Sequence, residues 1–174
     1  MTAKLKEILL RPELLATLKA GPDEFKREYQ AAVGAHAELI ASIVEQTLFM
    51  VSSATDPVWG GRLIVDEDLQ AVVGTCAFKS FPVASEIEIA YFCFPQFEGR
   101  GYATAMAGSL LRVASDSGQV NCVVAHTLPE VNASTRVLEK NGFLRAGEGI
   151  DDEVGRVWRW ERILTGEAVA KKTS

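Results

Sequence analysis

Apolar residues recur in two rhythms along this chain, a period of two through its middle and steps of three and four on either side. These are the marks of strands and of amphipathic helices. Arg62 to Val65 and Gln70 to Phe78 carry the first rhythm, and Asp66-Glu67-Asp68-Leu69 between them predicts an antiparallel hairpin. Another strand is predicted from Glu86 to Phe94, with Glu86, Glu88 and Ala90 on one face and Ile87, Ile89 and Tyr91 on the other. Val120 to Ala125 is almost wholly apolar, as expected of a strand covered on both faces. Phe143 to Ala146 and Val154 to Ile163 read as a closing hairpin around Gly147 to Gly155.

The second rhythm places helices between and before these strands. Lys4 to Arg11 is a first strand or the start of a helix, ended either way by Pro12. Glu13 to Lys19 and Asp23 to Val33 are helical stretches divided by Gly21-Pro22. From Ala35 to Val51, Ile40, Ile43, Val44, Thr47, Leu48 and Val51 form an apolar stripe that predicts a helix lying on a sheet. Arg100 to Ser117 presents Ala103, Met106, Ala107, Leu110, Leu111 and Ala114 and stops at Gly118. Pro129 to Asn141 is a further helix, stopped by Asn141-Gly142. Glu86–Phe94, Arg100–Ser117 and Val120–Ala125 then make a βαβ unit with a right-handed crossover. Thr165 to Ser174 has no period and reads as a loose tail, which leaves one domain over residues 1–164.

Composition narrows the class of partner. A net charge of −5 argues against nucleic acid and anionic membranes as partners. No apolar run approaches the roughly 20 residues that cross a bilayer, and Met1-Thr2-Ala3-Lys4 does not open a signal peptide. Cys76, Cys93 and Cys122 are odd in number, lie inside predicted strands and lack CxxC spacing. They read as reduced core residues of a cytoplasmic protein with no metal site.

The turn Pro95-Gln96-Phe97-Glu98-Gly99-Arg100-Gly101-Tyr102-Ala103-Thr104 carries the strongest chemical signal. Two glycines where a strand hands over to a helix let backbone N–H groups converge on an anion, and the helix N-terminus adds partial positive charge. A P-loop would need Lys-Ser or Lys-Thr after its second glycine, and Tyr102-Ala103 stands there instead. The dinucleotide fingerprint would need a third glycine at Thr104.

Gln96-Phe97-Glu98-Gly99-Arg100-Gly101 with Tyr102-Ala103-Thr104 resembles the coenzyme A signature of the GCN5-related N-acetyltransferase (GNAT) superfamily. Leu138-Glu139-Lys140-Asn141-Gly142-Phe143 resembles a second segment of that family. Ile8-Leu9-Leu10-Arg11-Pro12 and Glu88-Ile89-Ala90-Tyr91 look most like the branch of ribosomal-protein N-terminal acetyltransferases. The resemblance implies an α/β (α+β) domain with a mixed central sheet of about six to seven strands. That sheet is antiparallel on its N-terminal side, has a splayed parallel pair in the middle and is flanked by helices. It implies transfer of an acetyl group from acetyl-CoA directly to a primary amine, on a protein N-terminus or a small molecule. A catalytically weak acyl-CoA-binding or sensing module is the alternative, and a homodimer is an assembly common in the family.

Carried over residue by residue, the resemblance puts backbone N–H groups of Phe97, Glu98, Gly99, Arg100, Gly101, Tyr102 and Ala103 around the pyrophosphate, between Gln96 and Thr104. Phe92 and Phe94 border the pantetheine, in a gap between Phe92-Cys93-Phe94 and Val123-Val124-Ala125. Glu88 is the first candidate to take the amine proton, with a pKa lifted by burial, and Glu86 is the reserve. A backbone N–H near Phe94 polarises the thioester carbonyl. Ser134 matches a serine near the coenzyme sulfur, while Leu138 stands where many relatives have a tyrosine acid. Asn132 is one place away from the family's asparagine, so its role as a pantetheine ligand stays open. His126, at the carboxyl end of its strand, is either a base, a substrate contact or a plain loop residue. Asp151-Asp152-Glu153 either attract a cationic amine or form a solvated tip, and Trp158 and Trp160 either line a substrate cleft or a subunit contact, or simply pack.

Overall fold

The computed structural model describes residues 3–51 and 56–164. The tail over 165–174 and part of the turn-rich stretch after Ser52 therefore lie outside the described residues. Alternation produces seven strands: β1 (Leu5–Leu9), β2 (Gly61–Asp66), β3 (Ala71–Phe78), β4 (Glu86–Cys93), β5 (Cys122–Thr127), β6 (Leu144–Asp151) and β7 (Gly155–Ile163). They form one sheet in the order β1-β2-β3-β4-β5-β7-β6. β4 and β5 are its parallel pair, and every other neighbouring pair is antiparallel.

The helices are α1 (Pro12–Ala20), α2 (Pro22–Tyr29), α3 (Ala37–Val51), α4 (Tyr102–Ser117) and α5 (Ala133–Lys140). Pro12 and Pro22 each begin a helix, where a missing N–H costs nothing. The first core unites Leu14, Leu18, Phe25, Ile40 and Val44 of α1–α3 with Leu63, Val65 and Val72 of the sheet. The second unites Met106, Ala107 and Leu110 of α4 and Leu138 of α5 with Val73, Ile87, Ile89 and Val123. Burying these side chains is the main stabilising term, at roughly 25 cal/mol per Å² of apolar surface. Gly74 on β3 admits the close approach, because a Cβ there would lie 2.2 Å from the Phe92 carbonyl oxygen and 2.5 Å from Met106 Cε.

Several boundaries differ from the sequence expectation, each for a local reason. α2 ends at Gln30 in the left-handed region, not at Val33. Beyond it, Ala32 exchanges hydrogen bonds with Gln70 and Val72 beside β3. α5 begins four residues later than Pro129, because Asn132 caps it: its side chain accepts from Thr135 N, and Thr135 Oγ1 accepts from Asn132 N. β6 runs on to Asp151 because a bulge at Arg145/Gly147 lets pairing with β7 continue. β5 starts at Cys122, since Asn121 and Cys122 still donate to Ser85 O at the strand entrance.

The shift in β5 matters for the site. Only Glu86, Ile87 and Glu88 pair with β5, opposite Cys122, Val123 and Val124. Val123 and Val124 are thus inside the paired segment, contrary to expectation, and pairing stops between Ile89–Cys93 and Ala125–Thr127. The gap is the predicted splay, displaced by two residues.

Candidate active site

Two cavities flank that gap. The first, of about 420 Å³, is lined by the end of β4 at Tyr91, Phe92 and Cys93, by Glu98, Gly99 and Gly101 to Thr104, and by α5. Gly99 and Gly101 have φ of 75° and 84°, in the left-handed region that glycine enters freely. A Cβ at either would meet no protein atom within 4 Å, so it would project into open space beside the cavity. Phe97 and Glu98 spend their N–H groups on Phe94 O and Pro95 O in a 3-10 turn, so the expected cradle begins later. Among the described residues, the N–H groups of Gly99 to Thr104 have no partner. They converge at the N-terminus of a 16-residue helix, a ready anion site.

Of the other residues expected here, Phe92, Tyr102, Ala103 and Thr104 do line the cavity. Phe94 does not: its ring is fully buried and stacks on His36 at 4.4 Å, and its N–H donates to Val73 O. Backbone alternation along β4 therefore turns the Tyr91 and Cys93 N–H groups, rather than that of Phe94, toward the gap. Gln96 is tied to His36 Nε2 at 2.8 Å, which gives that histidine a structural part. Arg100 lies over the Phe97 ring at 5.9 Å. Asn132 has its side-chain oxygen committed to the α5 cap.

The Tyr102 side chain points inward and donates to Asp66 Oδ2 at 2.5 Å. Asp66 Oδ1 accepts from Asp68 N and Leu69 N. Burial pushes the Asp66 carboxyl up, but these hydrogen bonds and the nearby Arg100 charge outweigh it and hold the carboxyl below its usual range. The glycine turn is thereby anchored to the β2–β3 hairpin.

Sequence reasoning missed the α5 wall of this cavity. Ala133, Arg136, Val137 and Lys140 line it, and they are the i, i+3, i+4, i+7 positions of one helix face. That spacing was legible, and it brings two cations to the cavity with the glycine turn.

The second cavity, of about 670 Å³, lies between Gln46 and Thr47 of α3, Phe78 and Lys79, the middle of β4, Ala125 to Leu128, and Asp151, Glu153 and Val154 of the β6–β7 hairpin. Glu88 Oε1 accepts from Lys79 Nζ at 2.8 Å and pairs with His126 Nδ1 at 2.9 Å. Burial raises the Glu88 carboxyl, yet the hydrogen bonds and charges of Lys79 and His126 overcome this and leave it lowered. That reverses the expected upward shift. An ionised carboxylate only accepts, so His126 Nδ1 carries a proton, which leaves Nε2 as the ring nitrogen available to exchange one. Glu86 lies outside both cavities, bound by Arg159 Nη2 at 2.8 Å. It faces Cys122 and Glu161, and Arg159 also binds Glu161, so one arginine already bridges both carboxylates of this cluster.

Tyr91 and Ser134 line both cavities. Trp160 is buried with Nε1 donating to Thr127, and Trp158 lies under Arg145 at 4.4 Å; both line a separate cavity of about 300 Å³ with Val131, Glu139 and Phe143, not the two that flank the gap. Among the described residues no helix is long and apolar enough to cross a membrane.

Residues 11–144 match the model of the acetyltransferase (GNAT) domain family. No curated protein matches. Among solved structures, one similar to this chain is RimL, a ribosomal L7/L12 alpha-N-protein acetyltransferase in complex with coenzyme A, at TM-score 0.69 and 17% identity over 96% of this chain and 97% of that one. A ribosomal-protein-S5-alanine acetyltransferase from Vibrio fischeri aligns at TM-score 0.66 and 14% identity, covering 92% and 93%. The microcin C7 self-immunity acetyltransferase MccE, in complex with acetyl-CoA and AMP, aligns at TM-score 0.65 and 14% identity, covering 92% of each. These likenesses support the sheet order and the fold, and the family match goes further: the chain belongs to the GNAT acetyltransferases.

Proposed function

We propose that this protein, in the cytoplasm, moves an acetyl group from acetyl-CoA directly to a primary amine. The observation that carries this reading is the pair of cavities meeting at the splay, one built for an anion and the other acidic. Free N–H groups of Gly99 to Thr104 suit a pyrophosphate, and Arg136 and Lys140 supply countercharge from α5. The Tyr91 and Cys93 N–H groups face the gap, where a pantetheine amide would hydrogen-bond as an added strand does. The second cavity offers Asp151 and Glu153 to a cationic amine, beside the apolar Phe78, Ile89 and Val157.

The amine must arrive neutral at the thioester carbon. Glu88 is a poor direct base because Lys79 and His126 hold it ionised and low. It acts through His126: the carboxylate fixes the imidazole so that Nε2 takes the amine proton. The nitrogen–carbon bond then forms, the carbon–sulfur bond breaks, and a Cys93 or Tyr91 N–H stabilises the developing oxygen charge. Burial and then the Glu98 charge raise the Cys93 thiol, which disfavours it as an acetyl carrier and favours direct transfer.

A thiol-release assay with acetyl-CoA and a panel of N-terminal peptides, polyamines and aminoglycosides tests the reading. Release with at least one amine supports it. Coenzyme binding with no release on any amine would instead establish a module that binds acyl-CoA without turnover.

A further inference from the structure

Leu138, where many relatives place a tyrosine acid, is fully buried in the core and contributes no hydroxyl. The leaving thiolate still has to gain a proton. Tyr91 presents a hydroxyl from the sheet to the first turn of α5, where the two cavities share a wall. Its hydroxyl lies 3.1 Å from Ser134 Oγ and 3.2 Å from Ser134 O, and these two residues alone line both cavities among those described. Tyr91 is on the α4–α5 side of β4, with Cys93 and Ile89, and its ring packs against the second core. The ring is thus held by packing and the hydroxyl by α5, a placement that costs little reorganisation when charge develops.

We infer that the Tyr91 hydroxyl is the proton donor to the coenzyme thiolate, either directly or through Ser134 Oγ. This rests on the acetyl-transfer reading above. As the carbon–sulfur bond breaks, sulfur keeps the bonding pair and takes a proton from Tyr91, or from Ser134 while Tyr91 replaces the proton Ser134 gives. Water then returns a proton to the tyrosinate, and His126 releases the amine proton to solvent, so the cycle closes. Burial raises the phenol, partly offset by its bond to Ser134, so it stays protonated until called upon.

The test separates this inference from the acetyl-transfer reading by using coenzyme A alone as well as turnover. The coenzyme thiol is titrated by thiolate absorbance in complexes of the wild type, Tyr91→Phe and Ser134→Ala. Tyr91→Phe keeps the ring, so the variant should fold, with a melting temperature lowered only by the lost hydrogen bond to Ser134, and should still bind coenzyme A. A hydrogen bond from Tyr91 stabilises thiolate, so the thiol in the Tyr91→Phe complex should titrate higher, with about tenfold less thiolate at a given pH. Its kcat should fall about 100-fold, with KM for acetyl-CoA nearly unchanged and the alkaline decline of kcat lost. Ser134→Ala should fall less if Tyr91 donates directly and equally if the proton passes through Ser134. Normal coenzyme binding with an unmoved thiol titration and unchanged kcat in Tyr91→Phe would overturn the inference alone. Failure of the wild type to bind coenzyme A would overturn the acetyl-transfer reading and this inference with it.

Discussion

His126 Nδ1 sits 2.9 Å from Glu88 Oε1, across the two strands of the parallel pair. The same carboxylate oxygen accepts from Lys79, so the acid nearest the splay is a fixed anion that orients an imidazole. In the proposed mechanism Glu88 is therefore a positioning residue and His126 the group that exchanges the amine proton.

The two roles separate in kinetics. Glu88→Gln should lower kcat about 10- to 100-fold and leave acetyl-CoA affinity unchanged, whereas His126→Gln should lower kcat about 100- to 1000-fold. Steady-state rates and calorimetric titration check this. A larger kcat loss in Glu88→Gln than in His126→Gln would return the base role to Glu88.

Glu88 also links stability to pH. Its carboxyl is lowered in the folded protein, so the unfolded chain binds the proton more readily. The stabilisation it gives is fully present above the unfolded carboxylate value and is lost as pH falls through the lower folded one. Melting temperatures of the wild type and Glu88→Gln should therefore differ at neutral pH and converge in acid.

Arg136 and Lys140 test the cavity wall that α5 builds. Arg136→Ala with Lys140→Ala should weaken acetyl-CoA binding about tenfold at low salt and flatten its salt dependence, since exposed charges are screened within a Debye length. Calorimetric titration at two ionic strengths reads both effects.

The Asp66–Tyr102 bond predicts a different signature. Tyr102→Phe leaves a buried carboxylate with one partner fewer, at a cost of about 1–3 kcal/mol. Denaturant unfolding should show that loss, and coenzyme affinity should fall with it because the turn loosens.

Much of the fold was legible because period-two and helical patterns act locally. The βαβ unit, the β2–β3 hairpin and the glycine turn stand where alternation and turn residues put them. What was not legible depended on partners distant in the chain. Glu88 looked like a base until β3 and β5 brought Lys79 and His126 to it. Phe94 looked like a coenzyme contact, but the register with β3 spends its N–H on Val73, and the core takes its ring. Tyr91 was read as a strand residue on the face opposite Glu88 and as the end of the Glu88–Tyr91 segment, and its hydroxyl gained meaning when α5 placed Ser134 beside it. The register of β5 moved the gap itself, because pairing at Val124 cannot be read from β5 alone.

The coenzyme cradle is tested most directly by calorimetric titration of acetyl-CoA into the wild type and into Gly101→Val, with melting curves confirming that both are folded. Gly101 sits at φ 84° where the free N–H groups converge, so a branched side chain both strains the turn and intrudes on the anion site. One acetyl-CoA per chain for the wild type, with at least about tenfold weaker binding for Gly101→Val, is the predicted result. Equal affinity in a folded Gly101→Val, or no binding by the wild type, would contradict the account.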